Sequence, residues 1–333
     1  MIIPVKKEAC DKIMRIGLTY DIQNEYGFET FDARHCDFIS ASEVSFLKNT
    51  LEEMGYSVVL LGNCSQVIQY LCKGKQIPDL VFNMSWGFKG RNREGLMPAL
   101  LETFRIPFTG SDAYGCSLCL DKLQTKLTAI HLNIPTPMYI EISNETGFPI
   151  DFPFPFPVVL KPRAEGSSMG VHLVKNMAEA REIAKQLLIE YNEPILCEQY
   201  IKGREIQVPL LADEQGVHAV NILETTMPDG SPVALYDAEL KHTHIVSKKL
   251  ADIPEDTACK LVAYAEGLFH YLGCSDFGRV DFRLTSENDI FFLEMAPLPS
   301  LQPGGSFHTC CNLSDITSSK MLERIIVAAI QRK

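Results

Sequence analysis

Residues 280–300, VDFRLTSENDIFFLEMAPLPS, read as two strands and a turn. Two runs rich in β-branched and aromatic residues flank a polar tip, Ser286-Glu287-Asn288-Asp289. That pattern predicts a β-hairpin with a four-residue loop. With Thr285 and Ile290 as the last pair, counting back sets Asp281 opposite Glu294 and Arg279 opposite Ala296. Side chains alternate along a strand, so these four share one face. Two facing carboxylates repel unless a cation sits between them or one takes up a proton.

A second informative stretch is VVLKPRAEGSSMGVHLV, residues 158–174. A predicted strand ends in Lys161, a loop with two glycines and two serines follows, and another strand begins. Such a loop is either a plain hairpin turn or a clamp whose N–H groups and hydroxyls cradle phosphate oxygens. Lys161 would supply a point charge to a phosphate. The order of residues is not that of a Walker A loop, and no helix follows directly. The lysine, the loop and the carboxylate hairpin make sense together: phosphates carry Mg²⁺, and Mg²⁺ takes carboxylate oxygens.

Bulk properties agree with a soluble globular chain. Of 333 residues, 46% are hydrophobic and 22% charged, enough for two or three lobes with real cores. The formal net charge of −11 argues against nucleic acid as a partner. No run approaches the roughly 18 apolar residues of a membrane span. The opening MIIPVKKEACDKIMRIG is broken by charges and has no signal-peptide core. The 11 cysteines are odd in number and lie mostly inside apolar runs, which reads as reduced thiols in a cytosolic protein. The CSLC at 116–119 lacks a second ligand pair for zinc and reads as buried thiols on a helix, as does the pair at 310–311. HTH at 242–244 reads as a solvated loop.

From residue 1 to about 115, strands (IMRIGLTY, YSVVLLG, DLVFNMS) alternate with helices (SEVSFLKNTLEEMG, SQVIQYLCKG, REGLMPALLETFR). This βαβα order predicts a parallel, Rossmann-like sheet. FPIDFPFPFP at 148–157 cannot be helical and reads as a stiff connection. An α+β region follows, with strands at VVLKP, EPILCEQYI, EIQVPLLA and VHAVNILE, and a last helix at ITSSKMLERIIVAAIQ. Three segments are expected: 1–115, 116–195 and 196–333.

Eight motifs in order carry a resemblance: NREGLMPALLE, IPFTGSDA…CLDKLQTK, NIPTP, VVLKPRAEGSSMGV, CEQYIKGREI, YDAELKH, GRVDFRL and FLEMAPLPS. The chain resembles the ATP-grasp superfamily, and within it the D-alanine–D-alanine ligase family. The resemblance implies an ATP-grasp fold with an N-terminal Rossmann-like domain, and ATP held between the last two lobes. It implies phosphate contacts from Lys122 and Lys161, and a phosphate-covering loop with Ser167 and Ser168. Glu198, Gln199 and Ile201 match the adenine hinge and Glu205 the ribose carboxylate. Lys241 matches a further nucleotide-contacting lysine on a mobile loop. Asp281 and Glu294 match Mg²⁺ ligands, and Arg279 the arginine that stabilises the tetrahedral intermediate. The implied partners are small amino-acid-like substrates, in a possible homodimer, with no nucleic acid and no membrane. The implied reaction activates one acid as an acyl-phosphate, which an amine or hydroxyl then attacks.

Four departures bear on substrate. Ala296 stands where the family has a metal-binding asparagine, and Pro299-Ser300 where it has Pro-Gly. His242 replaces the mobile loop's tyrosine. SASEVSF at 40–46 resembles the family's N-terminal motif by letters, but its glutamate falls out of step. The expectation is therefore an ATP-dependent carboxylate–amine ligase with altered specificity. The alternatives are the wall enzyme itself, joining D-alanine to D-alanine or a hydroxy acid, and a nucleotide-binding regulator without ligase activity.

Overall fold

The computed structural model describes residues 13–27, 38–238, 240 and 245–332, with Thr146 by its backbone alone. The first elements are β1 (Arg15–Tyr20), α1 (Ala41–Glu53), β2 (Ser57–Gly62), α2 (Cys64–Cys72), β3 (Leu80–Met84) and α3 (Arg93–Thr103). The three strands form a parallel sheet in the order β2-β1-β3, as the alternation predicts. β1 and β3 are almost wholly buried, which suits their apolar runs to a sheet covered on both faces. Ser40 caps α1 by accepting from the Glu43 N–H at 3.0 Å. Asn63 and Gln66 form a reciprocal capping box on α2.

The helix expected at CSLC is α4 (Ala113–Leu120), and α5 (Lys122–His131) follows it after one residue. Asp121 separates the two: its backbone is extended, and its carboxylate caps α5 by accepting from the N–H groups of Leu123 and Gln124. β4 (Tyr139–Ile142), β5 (Val158–Pro162), β6 (His172–Val174), α6 (Met177–Tyr191) and β7 (Ile195–Gln199) follow. Their strands make an antiparallel sheet in the order β4-β7-β5-β6. The proline-studded 148–157 carries no helix or strand. Phe148, Phe152 and Phe154 instead sink into the core beneath that sheet.

The remaining chain holds β8 (Arg204–Asp213), β9 (Gly216–Ala219), β10 (Leu223–Thr226), β11 (Ser247–Leu250), α7 (Glu255–Tyr271), β12 (Phe277–Leu284) and β13 (Ile290–Ala296). α8 (Ser306–Leu313) and α9 (Ser318–Gln331) complete it. The strands form an antiparallel sheet, β11-β10-β8-β12-β13, with β9 on β8. VHAVNILE, read as one strand, is therefore two, β9 and β10, on different neighbours.

The hairpin pairs Asp281 with Glu294 and Arg279 with Ala296, as counted from sequence, but by another route. Its closing pair is Thr285 with Asp289, not Thr285 with Ile290: Thr285 N–H donates to Asp289 O at 3.0 Å. Asn288 takes a left-handed conformation (φ 66°), and its N–H donates to Thr285 O. This is the three-residue loop in which a type I turn is followed by a left-handed residue. Pairing then runs Leu284–Ile290 to Phe282–Phe292, one step off the expected register. A bulge at Leu293 restores it, so that Asp281 meets Glu294.

One core joins the N-terminal sheet to the end of the chain. Ile16, Leu18, Phe82 and Leu47 pack with Phe277, Leu301, Phe307 and Ile325. Polar ties reinforce it. Glu43, buried on α1, accepts from Ser300 Oγ at 2.8 Å and Leu301 N–H at 2.7 Å. Burial raises its carboxyl pKa, and these bonds only partly oppose that. Trp86 Nε1 donates to Leu298 O at 2.7 Å. The segment after β13 is thus clamped from the N-terminal side. The cysteines agree with reduced thiols: all nine among the described residues are free, and Cys116, Cys119, Cys310 and Cys311 are buried on α4 and α8. Cys119 Sγ lies 3.4 Å from Cys274 Sγ, and that contact followed by burial drives the Cys119 thiol pKa up.

Candidate active site

A cleft between the two antiparallel sheets collects most of the residues singled out from sequence. β5 and β7 contribute Lys161, Glu198 and Gln199, with Ile201 just beyond. β8, β12 and β13 contribute Glu205, Asp281, Arg283 and Glu294, while Lys122 enters from the first turn of α5. Ser168 closes one wall from the Gly/Ser loop. Arg279 lies two residues from Asp281 on the same strand face. Lys241 and His242, like the HTH run, lie outside the described residues.

The repulsion between the hairpin's two carboxylates is met by cations of the chain itself. Arg279 grips Asp281 with two bonds, Nε to Oδ1 at 2.6 Å and Nη2 to Oδ2 at 2.7 Å. Burial opposes the guanidinium's charge, but Asp281 and then Glu294 outweigh it and hold its pKa above the ordinary value. On the facing strand, Glu294 Oε2 lies 3.8 Å from Lys122 Nζ. Lys122 also donates to the Glu165 carbonyl, so it spans from the carboxylate pair to the Gly/Ser loop.

A second cluster sits deeper. The Glu198 carboxylate is 2.9 Å from Lys161 Nζ and 3.0 Å from Lys126 Nζ. Burial alone would raise its pKa; the two ammonium groups outweigh burial and lower it. Lys126, fully buried, has its own pKa pushed down to about 8, chiefly by desolvation. Lys126 was not singled out from sequence. Its spacing held the signal: Lys122 and Lys126 are four apart on α5 and share a face. Arg283 was also missed. It sits opposite Glu205 across β12 and β8, with Nε 3.1 Å from Oε2, and its guanidinium donates to the carbonyls of Gly203, Val233 and Ala234.

The Gly/Ser loop is held in a demanding shape. Ser167 and Ser168 both take left-handed backbone angles, φ 46° and 61°. Non-glycine residues held there cost on the order of 1–3 kcal/mol each, and such strain gathers at ligand clamps. Ser168 Oγ donates to Tyr236 O at 2.8 Å. Burial pushes the Tyr236 hydroxyl up to about 12. Arg93, buried at the start of α3, donates Nη1 to Ala164 O at 2.6 Å and lies 3.4 Å from Glu165. At the hinge, the Gln199 N–H is committed to Met138 O at 2.8 Å.

Donor chemistry in the cleft is all oxygen on the acidic side. Among the described residues, no group of three or more His, Cys, Asp and Glu side chains could hold a metal. The two facing carboxylates beside Lys122 are donors that fit Mg²⁺, which takes one or two carboxylates and completes its shell with phosphates and water. Asp281 can accept twice from Arg279 and retain lone pairs for a cation. No helix among the described residues is long and apolar enough to cross a membrane.

Comparison with known proteins gives this cleft its kin. The family profile described as the D-ala D-ala ligase C-terminus matches residues 138–327. A D-alanine–D-alanine ligase of Geobacter sulfurreducens is 31% identical over 300 residues, 87% of this chain and 89% of that protein. One from Aquifex aeolicus is 32% identical over 264 residues, covering 79% and 86%. Among solved structures, the Bacillus anthracis D-alanine–D-alanine ligase complexed with ATP superposes with a TM-score of 0.73, at 19% identity, over 96% of this chain and 98% of that one. The VanG D-Ala:D-Ser ligase of Enterococcus faecalis gives 0.72 at 18% identity, over 96% and 100%. The ordered motifs, the profile and the fold agree, and the chain belongs to the D-alanine–D-alanine ligase family of ATP-grasp enzymes, ATP-dependent ligases that form a peptide bond.

Proposed function

We propose that the protein activates the carboxylate of a small amino acid or related acid with ATP and joins it to the amine or hydroxyl of a second small acid. One observation carries this: a single cleft gathers Lys122, Lys161, Glu205, Asp281 and Glu294 from both sheets and α5, with Arg279 bonded to Asp281. Lys161 and Lys122 would hold phosphate oxygens, with the Ser167–Ser168 loop above them. Ile201 and the Gln199 backbone would meet the adenine, and Glu205, fixed by Arg283, the ribose. Glu198 would set the two buried lysines at their spacing. Asp281 and Glu294 would hold Mg²⁺, which when bound neutralises phosphate charge. Proteins catalyse phosphoryl transfer mainly by such positioning and charge neutralisation.

In the second step, an amine or hydroxyl attacks the activated carbonyl. Negative charge then develops on the carbonyl oxygen, and Arg279 would be the donor that meets it. Asp281 holds the guanidinium in place by two bonds, so little reorganisation is needed. The out-of-step Glu43 supports a substrate pair other than two D-alanines: its carboxylate is spent on Ser300 and Leu301. Ser300, in place of a glycine, is thereby locked to α1.

The experiment is Glu294→Gln, which keeps size and removes charge. Metal-dependent ADP production should fall by about tenfold or more, since removing one charged partner from a desolvated site costs on the order of 2 kcal/mol. Unchanged turnover at limiting Mg²⁺ would make the carboxylate pair structural. Ala296→Asn should be tolerated and should lower the Mg²⁺ requirement, because position 296 faces Arg279 and is not closed off from solvent. Loss of all activity in that variant would show that the space beside Ala296 is already filled.

A further inference from the structure

Lys248 stands on β11, at the edge of the large sheet, and belongs to none of the clusters above. Its register carries it to the site. Lys248 lies opposite Thr225 on β10, Thr225 opposite Glu205 on β8, and Glu205 opposite Arg283 on β12. Residues in register across a sheet share a face. Lys248 therefore projects from the face that bears Arg283, Asp281 and Arg279. Its neighbour Lys249 faces the other way and lies 3.5 Å from Glu224.

The Lys248 side chain is half-buried and reaches the segment after β13, where Nζ donates to Gly304 O at 2.9 Å. An ammonium has three donors, and this carbonyl takes one. Among the described residues, Lys248 forms no ion pair with a carboxylate. Arg279, the cation whose charge reaches it, is bonded to Asp281 through Nε and Nη2. Burial first, and then the Arg279 charge, lower the Lys248 pKa, and an anion alongside would oppose both effects.

We propose that Lys248 binds the carboxylate of the acceptor, and so selects amino or hydroxy acids over amines and alcohols that lack one. This rests on the ligase reading. It places a cation for the acceptor's acid group within electrostatic reach of Arg279, beside which the new bond would form, and it separates acceptor recognition from the nucleotide contacts of Lys122 and Lys161.

The test uses full-length protein, ATP, Mg²⁺ and a saturating pool of D- and L-amino acids as donors. Acceptors are D- and L-alanine and D- and L-serine, each as free acid and as amide; the amides cannot serve as donors. The unmodified protein should favour acids over amides in kcat/KM by about tenfold or more, the discrimination expected when a half-buried charge loses its partner. Lys248→Met should erase that preference by slowing the acids alone, and Lys248→Arg should keep it. Equal loss for acids and amides would mean that Lys248 acts only by holding Gly304, and overturns the proposal, as does an unaltered preference in Lys248→Met. No ADP from the unmodified protein with any pair would overturn the ligase reading and this assignment together. Product formation with no acid preference would overturn this assignment alone.

Discussion

Replacing Arg279 by methionine is expected to lower turnover by about a hundred- to a thousandfold, the loss seen when one oxyanion donor is removed from an acyl-transfer site. A second effect accompanies it. Asp281 is 3% exposed, and both of its oxygens accept from Arg279. Without the guanidinium a buried carboxylate loses its main partner, which costs about 3–5 kcal/mol when a buried pair is broken. Lysine at 279 separates the two effects. It restores a positive charge beside Asp281 but cannot make the paired bonds. Thermal unfolding should therefore recover largely in Arg279→Lys while turnover stays low. Turnover in Arg279→Met within threefold of the unmodified enzyme would remove Arg279 from the chemistry.

Glu198→Gln is expected to be the most destabilising single change in the cleft. The carboxylate neutralises Lys126 and Lys161, both nearly or fully buried. Glutamine leaves two buried ammonium groups facing each other, again a loss of about 3–5 kcal/mol. The pH dependence follows from the lowered carboxyl pKa. A carboxyl with a folded pKa below its unfolded value of about 4.3 contributes its full stability above that value, and loses it as pH falls through the folded pKa. The gap in stability between unmodified protein and Glu198→Gln should thus be widest above about pH 4.5 and shrink below it. Urea unfolding at pH 7 and pH 3.5 measures it. A gap that is the same at both values would show that Glu198 does not carry a buried charge.

Much of this site is legible in the chain, for reasons that differ by residue. The parallel N-terminal sheet follows from apolar strand runs alternating with amphipathic helices, and β1, β2 and β3 stand where the pattern puts them. The Asp281–Glu294 pairing is also legible, by a count in which two shifts cancel. The path to it is not. A left-handed Asn288 shortens the loop, and a bulge at Leu293 adds the residue back. Alternation is blind to two offsetting shifts.

Contacts between distant segments escape sequence altogether. Arg93 reaches the Gly/Ser loop from a helix 71 residues earlier, and Glu43 reaches Ser300 across 257 residues. Nothing local marks either as an anchor. The carboxylate pair teaches a related point. Arg279 and Lys122 already face it, so a bound metal is not required to explain why two acids can sit together. Arg279 was legible as a neighbour two residues away on the same face; Lys122 was not, because α5 comes to β13 only through packing.

For a ligase of this kind, the ATP-derived phosphoryl group must land on a substrate carboxylate before the new bond forms. Isotope transfer tests it most directly. The enzyme is incubated with ATP, Mg²⁺, a productive acceptor and donor acid labelled with ¹⁸O in its carboxylate, and the released phosphate is analysed by mass spectrometry. Attack of the carboxylate on the γ-phosphate, followed by displacement, must carry one donor oxygen into inorganic phosphate for each ligated product. That is the predicted result. Unlabelled phosphate, or release of AMP and pyrophosphate instead of ADP, would contradict it.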